Sequence, residues 1–288
     1  MFEILELRGP VAAKAGSNRA ASVLEAGGLV LFPDMAFALE ADERPLLDPA
    51  ISNGKSKNVS LDPITGRVGG ADVDAEAQAA LGRMLTRFAD YAETLLGELT
   101  PHYAGALQRR RTSFRPGAIE NRALSPRKDD RRLHTDAFPS NPVQGRRILR
   151  VFANVNPTGE DRIWEVGEED FQTLAVRYRD RLGSPSRSAW LMERLGLTKG
   201  RRSGYDDAML RLHDAAKLDD GFQKGAPKRR IVFPAGCMWV VYTDSVLHAA
   251  LAGQHALEQT FLMPPEAMET PALSPLRVLE QVGGRALL

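Results

Sequence analysis

Residues 147–155, Arg-Ile-Leu-Arg-Val-Phe-Ala-Asn-Val, constrain this chain more than any other segment. A run this rich in β-branched and aromatic side chains favours an extended backbone, and along a strand successive side chains take opposite faces. Ile148, Arg150, Phe152 and Asn154 then share one face, and Leu149, Val151, Ala153 and Val155 share the other. Arg150 points where a polar interior would lie. Further short runs follow: residues 230–233, turned by Pro234, Ala235 and Gly236 into residues 237–242, and then residues 259–263. Strands of this length joined by tight turns predict an antiparallel sandwich or barrel in the carboxyl half.

Helical periodicity surrounds these runs. Leu81, Met84, Leu85, Phe88, Tyr91, Leu95 and Leu99 form one stripe over residues 76–99, with Asp74 placed to cap its start. A second helical region covers residues 168–195, broken by Gly183, Pro185 and Gly196, and a third covers residues 206–217. No repeat, low-complexity tract or flexible linker divides the 288 residues. The reading is one α+β domain. A helical portion of about residues 1–100 packs on a β core of about 101–270, and residues 271–288 form a helical tail; a division into two domains near residue 100 is the alternative.

Composition removes several classes of function. Cys237 is the only cysteine, so neither an internal disulfide nor a cysteine-ligated zinc or iron–sulfur site can be built, and a reducing, cytoplasmic setting fits. The first residues lack a basic leader followed by an apolar segment. The longest apolar stretches, residues 29–32 and 237–242, fall far short of the roughly 20 residues of a membrane helix, so membrane contact is expected to be peripheral. Formal net charge is only +1, yet residues 109–132 hold eight arginines and Lys128 against Glu120, Asp129 and Asp130. That imbalance suits an anionic partner, or else a solvated basic loop.

The segment Arg132-Leu-His-Thr-Asp-Ala-Phe-Pro139 sets His134 and Asp136 two apart, which on an extended backbone sends both side chains to one face. His248 follows the strand of residues 237–242, where a double-stranded β-helix would bring it opposite the first pair. A two-histidine, one-carboxylate set leaves three positions of an octahedral iron open for a cosubstrate and oxygen. The His-x-Asp pair alone arises often by chance; its setting among strands is what raises it. The expected cosubstrate, 2-oxoglutarate, needs a buried cation for its far carboxylate, ideally a guanidinium fork. Arg150 is the first candidate, with Gln259 or Thr260 as auxiliaries. His102 and His213 read as helix-end or surface groups, and His255 as a loop residue near the site.

Three stretches carry a resemblance. Ser113-Phe-Arg-Pro116, Arg127-Lys-Asp-Asp-Arg-Arg-Leu-His-Thr-Asp-Ala-Phe-Pro-Ser140 and Gly145-Arg-Arg-Ile-Leu-Arg-Val-Phe-Ala-Asn-Val-Asn-Pro157 resemble the Kdo 3-hydroxylase family, and Gly253-Gln-His-Ala-Leu-Glu-Gln-Thr-Phe261 is similar too. The likeness runs from about Gly27 to the C-terminus. It implies a jelly-roll, cupin-like core with flanking helices, and an enzyme that uses Fe(II), 2-oxoglutarate and O2 to hydroxylate carbon 3 of Kdo on a lipid A precursor in lipopolysaccharide assembly, giving Ko. Such an enzyme would work in the cytoplasm, with peripheral contact at the inner-membrane surface. Arg115, Arg127 and Arg147 match the family's motifs and become candidates for gripping the cosubstrate or the sugar carboxylate. Lys55 and Lys57 are candidates for substrate phosphates.

Three rivals remain at this point. A jelly-roll module that binds anionic glycans without catalysis would need no converging triad. A nucleic-acid binder would explain residues 109–132, but Phe114 is their only aromatic and the net charge is low, so no nucleic-acid partner is expected. A hydroxylase of another small molecule or of a protein would share the iron site. Gly54-Lys-Ser-Lys57 lacks the upstream glycine of a phosphate loop and is not read as one.

Overall fold

The computed structural model describes residues 2–9, 12–120, 124–183, 198 and 200–288. In chain order these form β1 (Ile4–Glu6), α1 (Ala12–Glu25), β2 (Leu29–Phe32), β3 (Val59–Leu61), β4 (Val68–Gly69), α2 (Ala75–Leu99), β5 (Gln108–Arg115), β6 (Arg147–Asn154), β7 (Arg162–Gly167), α3 (Phe171–Arg177), α4 (Gly204–Leu218), α5 (Asp220–Gly225), β8 (Lys228–Phe233), β9 (Met238–Tyr242), β10 (His248–Ala252), β11 (Ala256–Met263) and α6 (Pro275–Gly283). Eight strands make one sheet in the order β1-β2-β9-β6-β11-β5-β3-β4, and β10-β7-β8 make a smaller second sheet. All neighbours are antiparallel except β1 and β2, which run parallel through α1.

The period-two reading of β6 explains why the large sheet is covered on both faces. Leu149, Val151 and Ala153 join Val240, Leu257 and Phe261 of neighbouring strands in a core closed by Leu81, Met84, Leu85 and Phe88 of α2. From the other face, Phe152 meets Trp239 and Val241, and across the gap Trp164, Val166, Ile231 and Phe233 of the small sheet. The two sheets thus close a jelly roll with α1 and α2 outside it. A third core, built on Leu174, Leu212 and Leu279, joins α3, α4 and α6 to Leu133, Ile148 and Leu262 at one end of the sheets.

Helix ends follow the local chemistry. Asp74 accepts from Ala77 N at 2.8 Å to start α2, and Ser203 with Asp206 makes a reciprocal capping box at the start of α4. Within the described part of the expected helical region 168–195, which ends at residue 183, lie the short α3 and a 3-10 turn at Arg179–Arg181; residues 184–195 lie outside the described residues, as does Gly196. The first hundred residues, expected to be helical, also supply four strands, and β3 pairs with β5 across the position considered for a domain boundary. Among the described residues, no helix is long and apolar enough to cross a membrane.

Candidate active site

The segment bearing His134 and Asp136 is held extended by partners on both sides. Its own sequence makes no strand. His134 bonds to His248 at the start of β10, Asp136 N donates to Thr243 O at 2.7 Å, and the Gln223 carboxamide of α5 bonds both N and O of Leu133. His134, Asp136 and His248 thereby come together, with one ligand atom from each lying within 4.8 Å of the others. His134 and His248 are buried and Asp136 is partly buried, near Trp164, whose ring stacks on His248 at 5.2 Å.

Hydrogen bonding sets which ring nitrogen each histidine offers. His134 Nδ1 lies 2.7 Å from Arg132 O, and His248 Nδ1 lies 2.9 Å from Val246 O. A carbonyl can only accept, so both Nδ1 atoms carry the proton and both Nε2 atoms are left with a lone pair. Burial, first of all, pushes both histidines below their usual 6.5, which keeps the rings neutral. Burial acts the other way on Asp136, but Arg150 and the two histidines outweigh it and hold its carboxyl well below the usual carboxylate range. Oδ1 of Asp136 faces His134 Nε2 at 3.8 Å, while Oδ2 faces Arg150 Nη1 at 3.1 Å. Two neutral imidazoles and one carboxylate, all aimed at one point, form a donor set that suits a divalent transition metal.

Around the triad runs a charged network. Arg150 Nη1 also lies 3.2 Å from Glu258 Oε1, Arg115 Nε donates to Glu258 Oε2 at 3.1 Å, and Lys57 pairs with Asp130. Burial raises Glu258, yet Arg115 and Arg150 win and hold it low; Lys57 and Arg115 do the same for Asp130. The register explains the convergence: Arg150 opposes Thr260, and Glu258 opposes Phe152, so these side chains share the inner face of the large sheet. They line a cavity of about 1110 Å³, at or above the ~300–1,000 Å³ usual for a small-molecule site. There is room for an acceptor as well as a cosubstrate.

The expected residues fall into two groups. Arg115, Arg150, Arg127, Lys55, Lys57 and Thr260 all line the cavity with the triad. Arg147 and Gln259 correct the expectation, because their strand positions turn them to the opposite face. Arg147 is fully buried against Asp244, with Nε to Oδ2 at 2.9 Å and Nη2 to Ser245 Oγ at 2.9 Å, and its guanidinium lies over the Tyr242 ring. It ties down the loop that delivers His248. The Gln259 carboxamide accepts from Thr112 and donates to Arg110 O and Thr260 O.

The basic run of 109–132 is also divided. Arg109 pairs with Asp90 and Glu93, Arg132 with Asp220, and Arg131 with Asp129, while Arg110, Arg111, Arg127 and Lys128 line the cavity; Arg122 lies outside the described residues.

Among the residues at the cavity that were not anticipated are Arg162, Trp164, His213 and Lys217. Arg162 and Trp164 come from β7, whose Arg-Ile-Trp-Glu-Val alternation was there to be read. His213, expected at the surface, stands edge-on to His134 with ring centroids 5.5 Å apart. His255 anchors a turn at positive φ, bonded to Leu47 O at 2.9 Å.

The sequence profile of 3-deoxy-D-manno-oct-2-ulosonic acid (Kdo) hydroxylases matches residues 9–286. This chain belongs to the Kdo hydroxylase family. Its fold agrees with solved structures of the Kdo hydroxylase KdoO, described as a non-heme Fe(II) alphaketoglutarate dependent dioxygenase. The apo form has 41% identity and a TM-score of 0.94 over 99% of this chain and 97% of that one. KdoO in complex with alphaketoglutarate and Fe(III) gives 40% and 0.94 over the same shares, and the complex with succinate and Fe(III) gives 40% and 0.93. No curated protein sequence matches the chain. As a Kdo hydroxylase, the chain has the cupin-like architecture expected of an Fe(II)/2-oxoglutarate oxygenase, with helices flanking the β core.

Proposed function

We propose that this Kdo hydroxylase holds Fe(II) through His134, Asp136 and His248 and uses 2-oxoglutarate and O2 to convert Kdo to Ko on a lipid A precursor. The observation that carries the reading is the convergence of two Nε2 lone pairs and one Asp136 oxygen on the floor of a cavity large enough for two ligands. Bound iron would supply the oxidising chemistry of oxygen activation against a 2-oxo acid.

The chain's own groups bind, orient and exclude water. The Arg132 and Val246 carbonyls fix the ring orientations. Arg150 Nη1 is ion-paired with Oδ2 of Asp136 at 3.1 Å, and the other oxygen, Oδ1, faces His134 Nε2. The far carboxylate of 2-oxoglutarate is held from the sheet wall by Arg150, with Arg115 and Arg162 beside it, since guanidinium forks match a carboxylate bidentately. Trp164 and Phe152 form an apolar wall that sheds water from the reacting centre.

Lys55, Lys57 and Arg127 line the same cavity and suit the phosphates of a lipid A precursor. Beside them Ile64, 84% exposed, stands on the β3–β4 turn. An apolar tip among basic side chains supports peripheral contact with an anionic membrane surface from the cytoplasmic side. β1–β4 complete the same sheet that carries the site, which supports a single oxygenase unit.

The reading is tested by following succinate release from anaerobically iron-loaded protein after oxygen is admitted. A Kdo-bearing acceptor should accelerate release at least tenfold over a matched acceptor lacking Kdo. Equal rates with both would remove Kdo as the substrate.

A further inference from the structure

We propose that Lys217 is the residue that recognises the sugar acceptor's own carboxylate; this inference rests on the reading that the acceptor is Kdo. Lys217 sits in the last turn of α4, outside the sheets that carry Arg115, Arg150 and Arg162, and it lines the cavity from the helix side. His213, one helical turn earlier on the same face, stands over the triad. The two residues mark the wall that an acceptor would meet opposite the arginines.

Lys217 is only 2% exposed, and yet its ammonium makes one long hydrogen bond among the described residues, to Arg127 O at 3.3 Å, and no ion pair. Burying a cation without an anion is costly, and such a group is normally paired. The three carboxylates nearest the triad are already matched: Lys57 pairs with Asp130, Arg115 with Glu258, and Arg150 bridges Glu258 and Asp136. Iron(II) together with dianionic 2-oxoglutarate adds no net charge. A further anion is needed to balance Lys217, and the carboxylate of the sugar provides one. Burial draws the lysine below its usual value; the nearby Asp130, Asp136 and Asp129 oppose that shift and Lys57 adds to it.

The test compares the methyl glycoside of Kdo with its carboxyl methyl ester, using calorimetry on anaerobic protein loaded with Fe(II) and 2-oxoglutarate. Wild type should bind the acid about tenfold to hundredfold more tightly than the ester, the ratio for one charge-assisted contact. Lys217→Met should bind acid and ester alike, and Lys217→Arg should recover part of the preference. Ligand-free Lys217→Met should also melt on the order of 2 °C or more above wild type, because an apolar side chain replaces an unbalanced buried charge. An acid preference undiminished in Lys217→Met would overturn the inference while leaving Kdo as substrate. A loss confined to 2-oxoglutarate affinity would move Lys217 to the cosubstrate site, and equally overturn it. Wild type that neither binds nor hydroxylates the acid would instead remove the Kdo reading itself.

Discussion

His134 and His248 are joined through their backbones as well as facing each other through their rings. His134 N donates to His248 O at 3.1 Å, His248 N donates to His134 O at 2.9 Å, and the ring centroids lie 4.6 Å apart. Residues that exchange both bonds form one rung of an antiparallel ladder, which puts their side chains on one face at a fixed separation. The spacing of the two proposed metal ligands is therefore set by main-chain bonds that do not depend on either imidazole.

His134→Ala, Asp136→Ala and His248→Ala should each abolish iron binding and turnover while leaving the fold in place. Those rungs survive the substitution, and the triad is no part of the apolar cores. Calorimetric titration with Fe(II) and the circular dichroism melt of the metal-free protein give the two readouts. Full turnover by any one variant would remove that residue from the metal set.

Arg150→Ala should raise the apparent KM for 2-oxoglutarate at least tenfold, as expected on loss of a charge-assisted fork from a buried site. Iron affinity should fall as well, by about 10–100-fold, because the same guanidinium fixes Oδ2 of Asp136. Arg150→Lys restores charge without the fork and should lie between. Kinetics over a range of 2-oxoglutarate and iron concentrations separate the effects. An unchanged 2-oxoglutarate dependence would shift the clamp to Arg115 or Arg162.

How far the sequence discloses this architecture depends on whether the signal is local. The alternation of β6 places Arg150 inward, and the two-residue spacing of His134 and Asp136 puts both on one face; each follows from period-two geometry alone. Helices α2 and α4 carry their caps and apolar stripes in sequence. Arg147, taken from a motif match, and Gln259, taken from its position after His248, show the limit of naming residues without assigning faces: one strand position decides whether an arginine meets the cavity or Asp244. His213 and Lys217 were illegible for another reason. Their helix reads as amphipathic, but only the docking of α4 against residues 127–134 turns its polar edge toward the metal site.

Glu258→Gln tests the charged network through pH. The folded-state value of Glu258 lies below the usual 4.5, so its ionised form adds stability that is fully present above pH 4.5 and is lost as pH falls through the folded-state value. At pH 7 the variant should be less stable by about 3–5 kcal/mol, the cost of leaving buried guanidinium groups short of a carboxylate. Below pH 4.5 the gap should narrow, since glutamine resembles the protonated acid. Urea denaturation at pH 7 and pH 4 measures both; a gap that widens on acidification would contradict the assignment.

Binding to anionic lipid vesicles should be weak and should decline as salt rises, because exposed basic groups attract an acidic bilayer by about 1 kcal/mol each under Debye screening. Ile64→Ser should lower it further by removing the exposed apolar tip. Co-sedimentation at 50 and 300 mM salt gives the answer, and salt-independent binding would speak against this surface.

Mass spectrometry of the reaction product tests the central claim most directly. Iron-loaded protein, 2-oxoglutarate and 18O2 should convert a Kdo-bearing lipid A precursor to a product carrying one additional 18O atom on the Kdo residue, and His134→Ala should form none. A precursor returned unchanged while 2-oxoglutarate is consumed at the full rate, or an oxygen placed outside Kdo, would contradict the account.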